Sequence, residues 1–278
     1  MSAARFAAPL GGVAVVLAGL VVLAGCGAAS DASAAEPSAA ARTCASPWLS
    51  GELHAASSVE LLVAAGDTIP ASRWPAYRAM AAEVAGCTGV GATITLRPIT
   101  ADSLTELPLF AGEVPAPTGQ DAVNPLRYRS DLRSFVLKTG AAFDRLPQLE
   151  RGASGSDPLG ALQAAAGDLR LEGGTSQHVV VAIFNGWQQS RSLNLFRYGQ
   201  DPAASTAPAL RALRASGALP ELNGADVVIA GLTTGIARMQ TSDAQLAELC
   251  TFWRSVISAG HGSLKLCAAA LPGISQTP

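Results

Sequence analysis

His178-Val-Val-Val-Ala-Ile-Phe-Asn185-Gly186-Trp187 is the stretch that decides the fold. Six apolar residues, rich in β-branched side chains, run without a polar break and end at Asn-Gly. Such a run fits a strand buried on both faces of a parallel sheet. In open α/β sheets, ligands gather beyond the carboxyl ends of the strands. Asn185 and the loop after it are therefore where function is expected first.

Outward from that strand, apolar runs and helical spacing alternate. Strands are predicted at Val59 to Ala65, Ala92 to Arg97 and Ala225 to Gly231, with a last edge strand at Ser263 to Cys267. A helix is predicted from Arg73 to Ala85, with Pro75 in its first turn and Gly86 at its end. Leu107-Pro-Leu-Phe110 reads as an edge strand or a loop. From Pro125 to Leu149, Leu126, Leu132, Phe135, Val136, Thr139 and Phe143 share a broad helical face, with Gly140 as a point where the helix can break. Leu159, Leu162, Ala166 and Leu169 form the inner face of the next helix, and another is predicted from Ala207 to Ser216 after a polar loop. Ser242 and Gln245 make a capping-box pair before a helix that turns Leu246, Leu249, Trp253 and Ile257 inward and stops at Gly260.

This alternation predicts an α/β fold: doubly wound and Rossmann-like, with a mostly parallel central sheet and helices on both faces. One domain is expected over 43–268, followed by a tail at 269–278. Hydrophobic residues make up 49% of the 278 and charged ones 14%, which suits a sizeable core. The formal net charge of -2 lacks the basic footprint that nucleic acid requires.

The first 25 residues read as an export signal. Arg5 supplies a positive region, Ala7 to Leu23 an apolar core, and Leu23-Ala24-Gly25-Cys26 a small-residue exit. That tetrapeptide resembles the lipobox of bacterial lipoproteins. The resemblance implies cleavage before Cys26, attachment of diacylglycerol to its sulfur, and a body held on the extracytoplasmic face of the cell membrane. An uncleaved membrane helix is the other reading of the same residues, although Gly11, Gly12, Gly19 and Gly25 interrupt it. Residues 26–42 carry no large apolar side chain after Cys26 and read as a tether. Cys44, Cys87, Cys250 and Cys267 remain, an even number in an exported chain. Three connectivities are open, and the expected one pairs Cys44 with Cys87 and Cys250 with Cys267. Buried free thiols are the alternative.

Three segments carry a family resemblance. Gly155-Ser156-Asp157-Pro158-Leu159-Gly160-Ala161-Leu162, the strand ending in Asn185-Gly186, and Asp226-Val-Val-Ile-Ala-Gly231 together resemble a von Willebrand factor A-type domain. Leu246 to Gly260, with Phe252-Trp253 inside it, is similar to the segment after the last strand in exported bacterial proteins of that kind, and the alanine-rich composition resembles that of actinobacterial chains. The resemblance implies a metal-ion-dependent adhesion site: an Asp-x-Ser-x-Ser loop, a Ser or Thr on a second loop, and an Asp-Gly after the central strand. Ser156 fits the second-loop hydroxyl. Asn185-Gly186 replaces Asp-Gly, and Asp67-Thr68-Ile69-Pro70-Ala71 lacks both serines.

Two readings of these residues stand. In the first, Asp67, Thr68, Ser156 and Asn185 hold a weakly bound Mg2+ or Ca2+ that a partner's carboxylate completes. In the second, the site is degenerate: Asp157 is an N-cap before Pro158, Asn185-Gly186 is turn chemistry, and no cofactor binds. The second is favoured because lost carboxylates weaken the hold on a hard cation. Trp187 and Gln188 are candidates for partner contact at the crevice rim, with a tryptophan folded over the sheet end as the alternative.

Enzyme templates fit less well. Gly152-Ala-Ser154-Gly155-Ser156 lacks the spacing of a nucleophile elbow, Gly89-Val-Gly91 lacks the third glycine of a dinucleotide loop, and His54, His178 and His261 are the chain's three histidines. The expected function is a lipid-anchored binding module that contacts another cell-envelope protein, without strong metal binding. The alternative is an envelope hydrolase or a small-solute carrier using the same crevice.

Overall fold

The computed structural model describes residues 44, 46–54, 58–66, 69–120, 123–149, 155–172, 177–195, 202–232 and 242–273. Along the chain these form α1 (Pro47–His54), β1 (Ser58–Ala64), α2 (Trp74–Cys87), β2 (Thr93–Ile99), β3 (Phe110–Glu113) and α3 (Pro125–Arg145). The second half adds α4 (Pro158–Glu172), β4 (His178–Ile183), α5 (Pro202–Ser216), β5 (Asp226–Ala230), α6 (Asp243–Ala259) and β6 (Ser263–Cys267). The strands make one sheet in the order β3-β2-β1-β4-β5-β6. Five run parallel, and β3 pairs antiparallel at the edge.

That is the strand order of a doubly wound α/β sheet, with an antiparallel strand added at one rim. The ribbon at 178–183 is the interior strand β4, parallel to β1 on one side and to β5 on the other. All seven residues of β1 are buried, and α2 and α4 both pack on it. Successive strand side chains point to opposite faces, so both faces of the sheet are covered. The chain order reverses between β1 and β4, which makes their carboxyl ends the switch point where such folds open a crevice.

A charged pair lies inside the sheet. Glu60 of β1 is fully buried, with Arg97 Nε on β2 lying 3.6 Å from its Oε2. Arg97 also pairs through Nη2 with Asp168 of α4 and donates through Nη1 to the Glu106 carbonyl at 3.1 Å. A charge removed from water needs such partners, so this pairing pins β1, β2 and α4 in one register.

Both disulfides join the expected partners. Cys44 is bonded to Cys87 at the end of α2, and Cys250 of α6 to Cys267 at the end of β6.

Several elements differ from the sequence expectation. α1 was not expected, yet Leu49 and Leu53 are both fully buried. The Ser46 hydroxyl caps the helix by accepting the Leu49 amide at 3.2 Å, and the Ser46 amide donates to Glu83 at 2.7 Å. β3 starts at Phe110, because Leu107 is solvent-exposed and the antiparallel register with β2 begins at Leu96 and Phe110. α3 runs unbroken through Gly140. α5 begins at Pro202 and contains Pro208, several residues before the expected start; proline at the first helical position needs no amide donor, so helix forms from there. Among the described residues, no helix is long and apolar enough to cross a membrane.

Candidate functional site

The carboxyl ends of β1, β2, β4 and β5 gather three loops. The amide of Asp157, just before α4, donates to the Thr100 carbonyl at 2.7 Å. Ser156 and Gln189 exchange two backbone hydrogen bonds, at 2.9 and 2.7 Å. A Cβ added to Gly155 would lie 2.8 Å from the Gln189 carbonyl and 3.3 Å from Ala101 Cβ. The loops after β2 and β4 and the start of α4 are thus in direct contact, as the topology requires.

Gln188 ties them together. Its Oε1 accepts the Leu159 amide at 3.0 Å, and its Nε2 donates to Asp157 Oδ1 and to Ser190 Oγ, each at 2.7 Å. Asp157 Oδ1 also accepts the Gly160 amide at 3.2 Å. The first turn of a helix leaves amide donors unpaired inside the helix. Here two of them are satisfied by side chains of the chain itself, so Asp157 is the N-cap of α4 and Gln188 completes the cap.

The expected contact role of Trp187 and Gln188 is corrected by their burial. Trp187 is 2% exposed and Gln188 is fully buried. Asn185 Oδ1 accepts the Trp187 amide at 3.1 Å, a local turn that directs the chain back over the sheet end. The tryptophan completes the core instead of presenting a face, which was the alternative reading of that residue. Gly186 has φ +88°, a conformation that strains any other side chain, and a Cβ there would press to 2.7 Å on Leu232 Cδ2. Its carbonyl accepts Trp253 Nε1 at 2.8 Å, which fixes α6 on the strand tip.

Of the four residues expected to hold a cation, Asp67 and Thr68 lie outside the described residues, as does the expected lipid-bearing Cys26. Ser156 and Asn185 both stand at the switch point, linked through the Trp187 to Gln189 segment. Ser156 Oγ is buried and has no hydrogen-bond partner among the described residues. A hard divalent ion takes six or more oxygens, carboxylates among them. The described donors are a hydroxyl, an amide oxygen that accepts the Trp187 amide, and the Asp157 carboxylate, whose Oδ1 accepts from Gly160 and Gln188. Taken alone, these three described groups fall short of that number of oxygens.

The three histidines sit at the opposite end of the sheet. His178 opens β4, the His261 carbonyl accepts the Gly224 amide just before β5, and a Cβ added to Gly89, just after α2, would lie 2.5 Å from the carbonyl of His54. Ser156 therefore has no histidine at its own end to act as a general base.

What stands exposed at the tips escaped the sequence reading. Leu104 and Leu107, in the loop after β2, are 53% and 80% exposed. A Cβ added to Gly160 would lie 3.0 Å from the Leu104 amide, so this loop borders the start of α4. Arg191 and Ser192, beyond Gln188, are exposed as well. The signal for Leu107 was the proline after it, which disfavours a paired strand there.

No family model matches the chain, and no curated protein matches it. Among solved structures, the human COPII-coat protein Sec24c is similar over 78% of this chain and 30% of that one, at 10% identity and a TM-score of 0.32. The chain spans less than a third of that protein's length. The α/β assignment rests on the sheet order itself.

Proposed function

We propose that this protein is a lipid-anchored, extracytoplasmic binding module of von Willebrand factor A-like fold, acting by contact with another cell-envelope protein at the tips of its strands. The metal site of that family is reduced in it, and the contact does not run through a bound ion. Leu23-Ala24-Gly25-Cys26 supports the anchor, and two disulfides suit an oxidising compartment outside the cytoplasm.

One observation carries the contact reading. The crevice is filled by the chain's own Trp187 and Gln188, while Leu104 and Leu107 beside it are left in water. Exposed apolar side chains grouped at a polar rim are what a protein partner buries. A ligand entering the crevice would have to displace Gln188 from three hydrogen bonds, whereas a partner docking on the rim displaces only water.

The test is co-purification from envelope fractions under mild cross-linking, comparing parent, Leu104→Glu/Leu107→Glu and Ser156→Ala. The leucine pair is expected to lose the partner and Ser156→Ala to keep it. Turnover of ester or glycoside substrates that depends on Ser156 would replace this reading with a hydrolase. Tight Ca2+ or Mg2+ binding by calorimetry, abolished in Asp67→Ala, would restore the cation site.

A further inference from the structure

α3 is packed along only half of its length. Phe135, Thr139, Ala142 and Phe143 are buried, but residues 125–134 hold no buried side chain. Tyr128 and Leu132 are half-buried there, and the other eight are exposed. Over Pro125 to Lys138 the helix carries Arg127, Arg129, Arg133 and Lys138 against a single acid, Asp131. Leu126 and Leu137 are 69% and 66% exposed. At 3.6 residues per turn, Leu126, Arg133 and Leu137 fall within about 40° of one another on the outward side. An outward stripe of leucines among arginines suits the boundary between phosphate headgroups and acyl chains.

The position of this half-helix is equally specific. α2 and α3 run antiparallel: Arg78 near the start of α2 pairs with Asp144 near the end of α3 at 2.9 Å. Between them lies a cavity of about 660 Å3, lined by both helices as far as Gly86 and Phe135. α2 then stops at Cys87, whose sulfur is bonded to Cys44. The uncovered half of α3 continues past that point, at the amino end of the sheet, where Glu113 pairs with the first residue of β2. The chain enters the fold at this same end. Seventeen residues lie between Cys26 and Cys44, so the chain places Cys44 no more than about 65 Å from Cys26.

We propose that the amino-terminal half of α3 is a membrane-contacting helix that lies on anionic phospholipid headgroups, its basic side chains on the phosphates and Leu126 and Leu137 toward the acyl boundary. This inference rests on the lipid-anchor reading of Cys26. It orients the molecule, with the amino end of the sheet toward the bilayer and the strand-tip rim away from it. An anionic lipid surface is favoured over a protein partner here by the excess of basic residues and by the shared end with Cys44.

The experiment uses residues 27–278, which lack the signal and the acylated cysteine but keep every described residue and both disulfides. Binding is read by co-sedimentation with vesicles of phosphatidylglycerol and phosphatidylcholine, against phosphatidylcholine alone, at low and high salt. Binding is expected to the anionic vesicles only and to fade at high salt. Each removed positive charge is expected to weaken it about fivefold, so Arg129→Gln/Arg133→Gln loses about 25-fold. Leu126→Ser/Leu137→Ser also weakens it, while Arg191→Gln at the strand tips leaves it unchanged. Unaltered circular dichroism checks that these exposed changes leave the fold intact. No binding, equal binding to both vesicle types, or equal loss in Arg191→Gln overturns the proposal, as does retention by an acidic protein in place of vesicles. The anchor is read separately, from the mass of the chain recovered from cell membranes. An unmodified Cys26 together with α3-dependent vesicle binding would remove the anchor reading and leave the docking helix standing.

Discussion

Replacing Gln188 by leucine tests whether the crevice is sealed by the chain's own polar side chains. The two side chains are similar in volume, and the site is fully buried, so the change removes hydrogen bonds with little change in packing. Three contacts go: the acceptor for the Leu159 amide and the donors to Asp157 and Ser190. The Leu159 amide is then left without that partner in a buried site, which costs about 1–3 kcal/mol. Asp157 keeps the Gly160 amide but loses a charge-assisted bond, which adds about 1–2 kcal/mol. The sum, about 2–5 kcal/mol, is a large part of the roughly 5–15 kcal/mol available to a domain. At this chain length it corresponds to a fall in Tm of about 5–15 °C. Thermal and urea unfolding with both disulfides intact is the assay. Gln188→Glu sharpens it, because it sets a second carboxylate against Asp157 Oδ1. That repulsion is relieved when one oxygen takes up a proton, so the folded state of this variant binds more protons than the unfolded state. Its deficit should therefore grow as pH rises from the acid range to neutrality. A Gln188→Leu protein within 0.5 kcal/mol of the parent would refute the reasoning.

Other expectations concern the interior and the covalent frame. Arg97→Met should cost about 3–5 kcal/mol by leaving Glu60 buried without its guanidinium, and Glu60→Leu/Arg97→Met should cost clearly less than the two single changes summed; additive losses in a double-mutant cycle would count against the pairing. Removing Cys250–Cys267, which closes 17 residues, should cost about 3 kcal/mol, and removing Cys44–Cys87, which closes 43, about 4 kcal/mol, on chain-entropy grounds. Unfolding of the paired Cys→Ala variants measures both, and the larger loss should fall on the longer loop. Gly186→Ala should destabilise well beyond an ordinary surface change, since it forces a side chain into the left-handed region and against Leu232. A neutral melting temperature would contradict that.

Long apolar periodicities carried the fold into the sequence, and short polar relations did not. β4 was legible because Val179 to Phe184 had to be buried on both faces, and the α6 capping box was legible because its two partners are three residues apart. α1 was missed although Ser46-Pro47 is a start signal, because eight residues with two buried leucines make too weak a pattern until the Cys44–Cys87 bond holds them to α2. At the strand tips, Asp157 as an N-cap before Pro158 could be read from the chain. The second half of that cap could not, since Gln188 reaches it from 31 residues away. Trp187 comes after the polar Asn185-Gly186 turn and so invited a surface reading, but the Asn185 turn folds it inward. Exposed Leu104 and Leu107 have the opposite lesson: Pro108 marks Leu107 as a poor strand residue, but nothing local marks Leu104 as exposed until the neighbouring strands are in register.

Photo-cross-linking in intact cells tests the proposed contact most directly. The photoreactive side chain is placed at Leu107 on the tip loop or, as a matched control, at Leu171 near the far end of α4, which is 87% exposed. The account predicts a discrete protein adduct from position 107 and none from 171. Adducts of equal yield from both positions, or from 171 alone, would contradict it.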